Sequence, residues 1–167
     1  NRRFSDFFKD SYAIECVPTK GKKRFTAFAS GEMNRLARKT TWTFSRDVVR
    51  KFEFVGVKYY DGQGFMAKAD LGVSSATELD GATVCIQTGT TTELNLADFF
   101  RSNNMSYEPV PVETGSEAVT NYMAGACDVF TTDRSALAAR RANMENPDEH
   151  VVLPEIVSKE QIGRAHV

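Results

Sequence analysis

Histidine and cysteine are scarce in this chain, with two of the first and three of the second among 167 residues. That scarcity narrows the available chemistry at once. His150 and His166 stand alone, and Cys16, Cys85 and Cys127 form no C-x-x-C pair and no Cys–His set at ligand spacing. Neither a metal site, a cofactor nor a Cys–His catalytic pair is expected. Cys85 and Cys127 fall in strand-like runs, and the residues alone leave two readings open: two buried thiols, or a bridge. Long apolar runs are missing as well. None approaches the length that crosses a bilayer, and residues 1–20 lack the apolar core of a secretion signal. Asn1 stands where a start methionine would, so the natural start is expected upstream, and the missing signal does not argue for the cytoplasm.

What remains is the balance of a soluble globular protein, 41% apolar and 26% charged, long enough for one domain or parts of two. The net charge of −1 hides an asymmetry. Residues 1–51 hold 13 Lys/Arg against 5 Asp/Glu, and the remainder holds 8 against 17. The basic residues are scattered, without the interleaved aromatics that stack bases. They read as a solvated face, and no nucleic-acid partner is expected.

Residues 13–18 read as a short strand closed by Pro18, and residues 22–30 as a helix with Phe25 and Phe28 inward and Gly31 as its stop. Residues 35–38 read as a strand, with unusual charge for a buried one. A hydroxyl-rich run and a short helical turn follow. Residues 52–60 are strand-like, Asp61-Gly62-Gln63-Gly64 interrupts them, and Phe65-Met66-Ala67 resumes. Two glycines there imply a bend or a close backbone approach. Beyond Ser74 the pattern is regular. It predicts helices over 75–79, 91–101, 116–125 and 135–144, and strands over 82–87, 107–112, 127–133 and 150–153. Leu94, Ala97 and Phe100 would face inward on one helix, and Ala118, Tyr122 and Met123 on the next. The prolines of 107–112 mark an edge strand. Strands alternating with helices predict an α/β fold with a parallel sheet, whose ligands gather at the C-terminal strand ends.

Three groups point toward that end. Thr90 and Glu93 have capping-box spacing, so the strand 82–87 turns through Gly89 into a helix start able to hold an anion at Thr91. Arg46 offers a guanidinium that forks onto a carboxylate. Asp133 ends a neighbouring strand and can hold a cation. Locally, each also reads as an ordinary cap or solvated charge. Together, an acid-binding site beside an ammonium-binding one is what a free α-amino acid needs.

Longer motifs accompany these residues. They are Thr40-Thr41-Trp42-Thr43-x-x-Arg46-Asp47, Val55-Gly56-Val57-x-Tyr59-Tyr60-Asp61-Gly62-Gln63-Gly64-Phe65-Met66, Gly89-Thr90-Thr91-Thr92-Glu93-Leu94-Asn95-Leu96-Ala97-Asp98, Cys127-Asp128-Val129-x-Thr131-Thr132-Asp133 and Val151-Val152-Leu153-Pro154-Glu155-Ile156. In sequence and spacing, from about Cys16 to Gln161, the chain resembles the general L-amino-acid-binding proteins of bacterial ABC uptake systems. These belong to the type II periplasmic binding fold.

The resemblance implies a bilobal α/β protein, two lobes joined by two crossing strands with the ligand between them. Residues 1–61 would close an incomplete lobe one, and 62–161 would hold the hinge and lobe two. The segment returning from lobe two would be absent. Arg46 would hold the ligand α-carboxylate with the Thr41 and Thr91 amides. Asp133, the Thr41 hydroxyl and the Lys39 carbonyl would hold the α-ammonium. The same resemblance implies a Cys85–Cys127 disulfide in an oxidising periplasm, ABC permease subunits as partners, a monomer, and no catalysis. Two other classes use related folds: a cyclohexadienyl dehydratase-like enzyme, and the effector-sensing domain of a transcription regulator. No acid–base pair is placed for the first, and the second needs a helix-turn-helix upstream.

Departures from the pattern cluster at two places. Where the family has Asp-Val-Leu-Ala-Arg-Asn, this chain has Asn34-Arg35-Leu36-Ala37-Arg38-Lys39. Lys39 brings like charge to the ammonium pocket, and Arg35 charge to a strand expected to be buried. The second place is Ile162-Gly163-Arg164-Ala165-His166-Val167, which reads like a translated sequencing adapter. Residues 162–167 are therefore set apart from the fold as an artefact.

Overall fold

Alternate residues of a strand face opposite sides, and here both sides are covered. The computed structural model describes residues 15–19, 21 and 23–166, with the backbone alone at 37–39 and 166. In β2 (Glu53–Lys68), Phe65 and Ala67 enter one apolar cluster while Met66 enters another. In β3 (Ala82–Gln87), Val84 and Ile86 join the first and Cys85 the second. Val129 and Phe130 of β5 (Val129–Asp133) divide in the same way. The first cluster is roofed by α2 (Thr91–Ser102) through Leu96 and Phe100. The second is roofed by α3 (Gly115–Met123) through Ala118 and Tyr122, and by α4 (Arg134–Arg141) through Leu137.

A third cluster stands apart. Phe25 and Phe28 of α1 (Lys23–Ala29) pack with Leu36 of β1 (Arg35–Thr41), with Phe52 and Phe54, and with Ala165 of β7 (Ser158–His166). β2 runs from this cluster to the other two, and its middle stretch, residues 55–61, contains no fully buried residue.

Among the described residues seven strands form one sheet, in the order β1-β7-β2-β5-β3-β4, with β6 (His150–Val152) paired to β2. β4 (Tyr107–Val112) is the edge that its prolines predict. The sheet is mixed rather than parallel. β3 is parallel to β4 and β5, but β2 is antiparallel to β5, β6 and β7, and β1 antiparallel to β7.

Several sequence expectations are corrected here. β2 is one continuous strand of 16 residues, and 61–64 does not interrupt it. Its glycines answer to close approach instead. A Cβ on Gly62 would stand 2.5 Å from Ile156 Cγ2 and 2.7 Å from the Ser158 carbonyl, and one on Gly64 2.8 Å from Arg134 Cγ. On α2 the inward face is Thr92, Leu96 and Phe100, while Leu94 is 68% exposed, because the packed stripe begins one residue into the helix. Met123 is exposed at the end of α3. Arg35 is exposed too, since β1 is an edge strand rather than a central one. Of the strand expected over 13–18, residues 13 and 14 lie outside the described residues, and 15–18 adopt no regular structure.

β7 lies antiparallel to β2. It runs beside β2 from Gln63↔Ser158 to Glu53↔His166. Residues 162–166, set apart on sequence, lie within that strand, with Ile162 and Ala165 buried. Strand pairing is made by backbone groups, so this slot asks only for extended chain and two modest apolar residues.

Cys85 and Cys127 are joined by a disulfide with their Cα atoms 5.6 Å apart, inside the second cluster. Closing a loop across 42 residues of sequence stabilises by about 4 kcal/mol in the chain-entropy account. Reduction, or a double Cys85→Ala/Cys127→Ala exchange, is expected to lower unfolding free energy by about 2–4 kcal/mol in denaturant titrations. Gly62→Ala is expected to cost about 1–3 kcal/mol by overpacking, read as a lower melting temperature.

Candidate functional site

The β3–α2 junction forms because Gly89 takes φ of 70°, a left-handed conformation that glycine adopts freely. Thr90 caps the helix by accepting from the Glu93 amide at 3.4 Å, and its own hydroxyl donates to the Gln87 carbonyl. The reciprocal arm of the box lands one residue early, since Glu93 accepts from Gly89 N–H at 2.7 Å rather than from Thr90. This leaves the Thr91 side chain turned toward β1, where its hydroxyl lies 3.3 Å from that of Thr41.

Arg46 comes from a single wide helical turn, Ser45–Val49, held by Trp42. The indole donates to Asp47 at 2.9 Å and stacks on Phe54 at 5.0 Å. The Arg46 guanidinium is almost fully buried, lies 4.8 Å over the Phe25 ring, and donates to the Thr41 carbonyl at 2.7 Å. Burial lowers its pKa, while the Glu160 and Asp133 carboxylates act in the other direction. An arginine remains charged throughout.

Asp133 closes β5 opposite Gln63 and stands at the start of α4, where its side chain makes no capping bond. Lys39 lies in β1, described there by its backbone alone. The structure thus brings Thr41, Thr91 and Arg46 into contact, and Asp133 within electrostatic reach of Arg46.

Glu160 on β7 is the residue that sequence reading missed. It is 3% exposed, accepts from the Thr41 hydroxyl at 2.7 Å, and accepts from Asn95 of α2 at 3.2 Å and Ser158 at 3.1 Å. An ionised carboxylate only accepts, so Thr41 gives its single proton to Glu160, and Thr91 is then the donor to Thr41. Burial raises the Glu160 pKa and Asp133 adds to this, against the Thr41 and Ser158 hydrogen bonds and the Arg46 charge. Nothing local marks Glu160, because its strand follows the last matching motif and carries ordinary polar residues. A cavity of about 770 Å³ shares the loop, with Thr88 in its wall beside Lys23, Glu32 and Glu113. No group of His, Cys, Asp and Glu among the described residues is arranged to hold a metal ion.

No protein-family model matches the chain. In sequence it is 57% identical, over 154 residues, to the glutamate/glutamine/aspartate/asparagine-binding protein BztA of Rhodobacter capsulatus. That match takes in 92% of this chain and 46% of BztA. It is 53% identical over 161 residues to the general L-amino acid-binding periplasmic protein AapJ of Rhizobium johnstonii, covering 96% of this chain and 47% of AapJ. In structure it superposes with TM-score 0.85 on an ABC-transporter periplasmic binding protein of Brucella ovis solved with glutathione bound. That protein is 51% identical, with 91% of this chain and 48% of the other covered. The chain is kin to the periplasmic amino-acid-binding proteins. Its fold is that of their type II class, and it spans about half the length of the curated relatives it matches.

Because the folded state raises the Glu160 pKa, this group's contribution to stability is complete below the ordinary glutamate range. It is lost as pH rises through the raised value. Glu160→Gln is expected to flatten the pH profile of unfolding free energy across that window, as followed by urea titrations at stepped pH.

Proposed function

We propose that this chain forms part of the substrate-binding component of an amino-acid ABC uptake transporter, and that it holds a free L-amino acid by its two charged ends. One observation supports the reading: buried Arg46 donates to the Thr41 carbonyl beside the Thr41–Thr91 contact, with Asp133 within electrostatic reach of its guanidinium. In this reading the ligand α-carboxylate takes the guanidinium N–H groups that the Thr41 carbonyl leaves over, together with the Thr41 and Thr91 amides. The α-ammonium lies against Asp133, the lone pairs of the Thr41 hydroxyl and the Lys39 carbonyl. The proton of Thr41 is committed to Glu160, so its oxygen is presented as an acceptor.

In this reading lobe one, residues 1–61, is built on the aromatic cluster around Phe28 and Phe52, and residues 62–161 hold the hinge and lobe two with the other two clusters. β2 and β7 are the crossing strands. The hinge of this reading is Asp61–Gly64, which follows the stretch 55–61 whose side chains belong to none of the three clusters, and closure there is a hinge motion. The relatives are named as binding proteins, which supports binding over catalysis. The names of AapJ and of the Brucella ovis protein likewise support a periplasmic location and delivery to ABC permease subunits.

Titration calorimetry of the full-length polypeptide against a panel of L-amino acids tests this. Heat is expected with several polar amino acids. Arg46→Ala and Asp133→Ala are each expected to cost about 3 kcal/mol or more, beyond a hundredfold in Kd, since each leaves an opposite charge unpaired. Unaltered affinity in both variants would rule the site out.

A further inference from the structure

Asp133 occupies the N-cap of α4, the place from which an aspartate ordinarily accepts from the second or third amide of its own helix. It makes no such bond. The first turn of α4 carries no acid and begins on Arg134, which suits the positive end of a helix dipole poorly. The cap comes from elsewhere. Asp61 of β2, 74 positions back along the chain, accepts from the Ser135 amide at 3.3 Å through Oδ1 and from the Ser135 hydroxyl through Oδ2. Its Oδ1 also accepts from the Gly62 amide at 2.9 Å, which fixes the carboxylate to its own strand. Ser135 is the second residue of the helix, so its N–H is one that an N-cap side chain would take. The Tyr59 phenol marks the acids here as neighbours. Burial raises its pKa, and Asp133, Asp61 and Glu160 add to this, against a hydrogen bond to Ser135.

We propose that Asp61 is a positioning residue for ligand binding: it caps α4 in place of Asp133, and so keeps the Asp133 carboxylate for the ligand ammonium rather than for the helix. The inference rests on the amino-acid reading and deepens it, adding a residue of the crossing strand that acts through Asp133. Without Asp61 the Ser135 amide loses its acceptor, and the carboxylate already standing at the N-cap is that of Asp133. A bond to the helix and a bond to the ammonium then compete for the same oxygens. Binding would first have to break the new cap, so affinity falls by the strength of one cap.

The test uses the full-length polypeptide and L-glutamine, whose side chain is uncharged. In calorimetry Asp61→Ala is expected to weaken binding about fivefold, the equivalent of an ordinary N-cap. Asp61→Asn, whose amide oxygen still accepts from the Ser135 N–H, is expected to stay within about twofold of wild type. Hydrogen exchange at the Ser135 amide, measured without ligand, separates positioning from general loosening. In Asp61→Ala that amide is expected to keep its protection, because Asp133 takes it over, and in the double variant Asp61→Ala/Asp133→Ala to lose it. Protection lost already in Asp61→Ala, or kept in the double variant, overturns the proposal. So does an Asp61→Ala affinity equal to wild type, or an Asp61→Asn affinity as low as that of Asp61→Ala. With heat from wild type, any of these results removes this proposal alone. Absence of heat from wild type with glutamine and every other panel member removes the amino-acid reading itself, and this proposal with it.

Discussion

The antiparallel pairing of β2 with β7 is the interaction on which the remainder depends. It extends from Glu53↔His166 to Gln63↔Ser158, so one ladder of backbone hydrogen bonds reaches from the aromatic cluster around Phe28 and Phe52 to the clusters around β3 and β5. Remove it, and the clusters are tied through fewer side-chain contacts. The pairing also sets position. With Asp61 opposite Glu160, the glutamate lies within reach of Thr41 on one side and Asn95 on the other.

Charge at the site follows from that placement. Arg46, Glu160 and Asp133 arrive on different elements, and burial penalises the charges of Arg46 and Glu160. Their mutual attraction and repulsion, together with the hydroxyls of Thr41, Thr91 and Ser158, decide how much of the penalty is offset. Aromatic packing on the outer side completes the arrangement. The guanidinium lies over Phe25, a contact worth about 0.5–2 kcal/mol, and Trp42 holds the turn that presents it.

Much of the fold was legible locally. Gly89 with Thr90 and Glu93 announced a helix start, and the apolar run of residues 82–87 a buried strand, because capping and strand burial are written within a few residues. Errors arose where distant parts meet. The glycines at 62 and 64 looked like a break, since the neighbours that need the space, Ile156 and Arg134, lie far along the chain. Leu94 looked buried because it is apolar, yet α2 presents Thr92 and Leu96 to the sheet. Arg35 looked misplaced until β1 proved to be an edge.

By itself the sequence determined most of the helices and inner strands and the kinship carried by its long motifs. These reside in local periodicity, capping and residue type. Only the tertiary structure decided that the sheet is mixed, that β7 runs beside β2, and that Glu160 meets Thr41 and Asn95. Each depends on which strand edges meet, and backbone edges are nearly alike whatever side chains they bear.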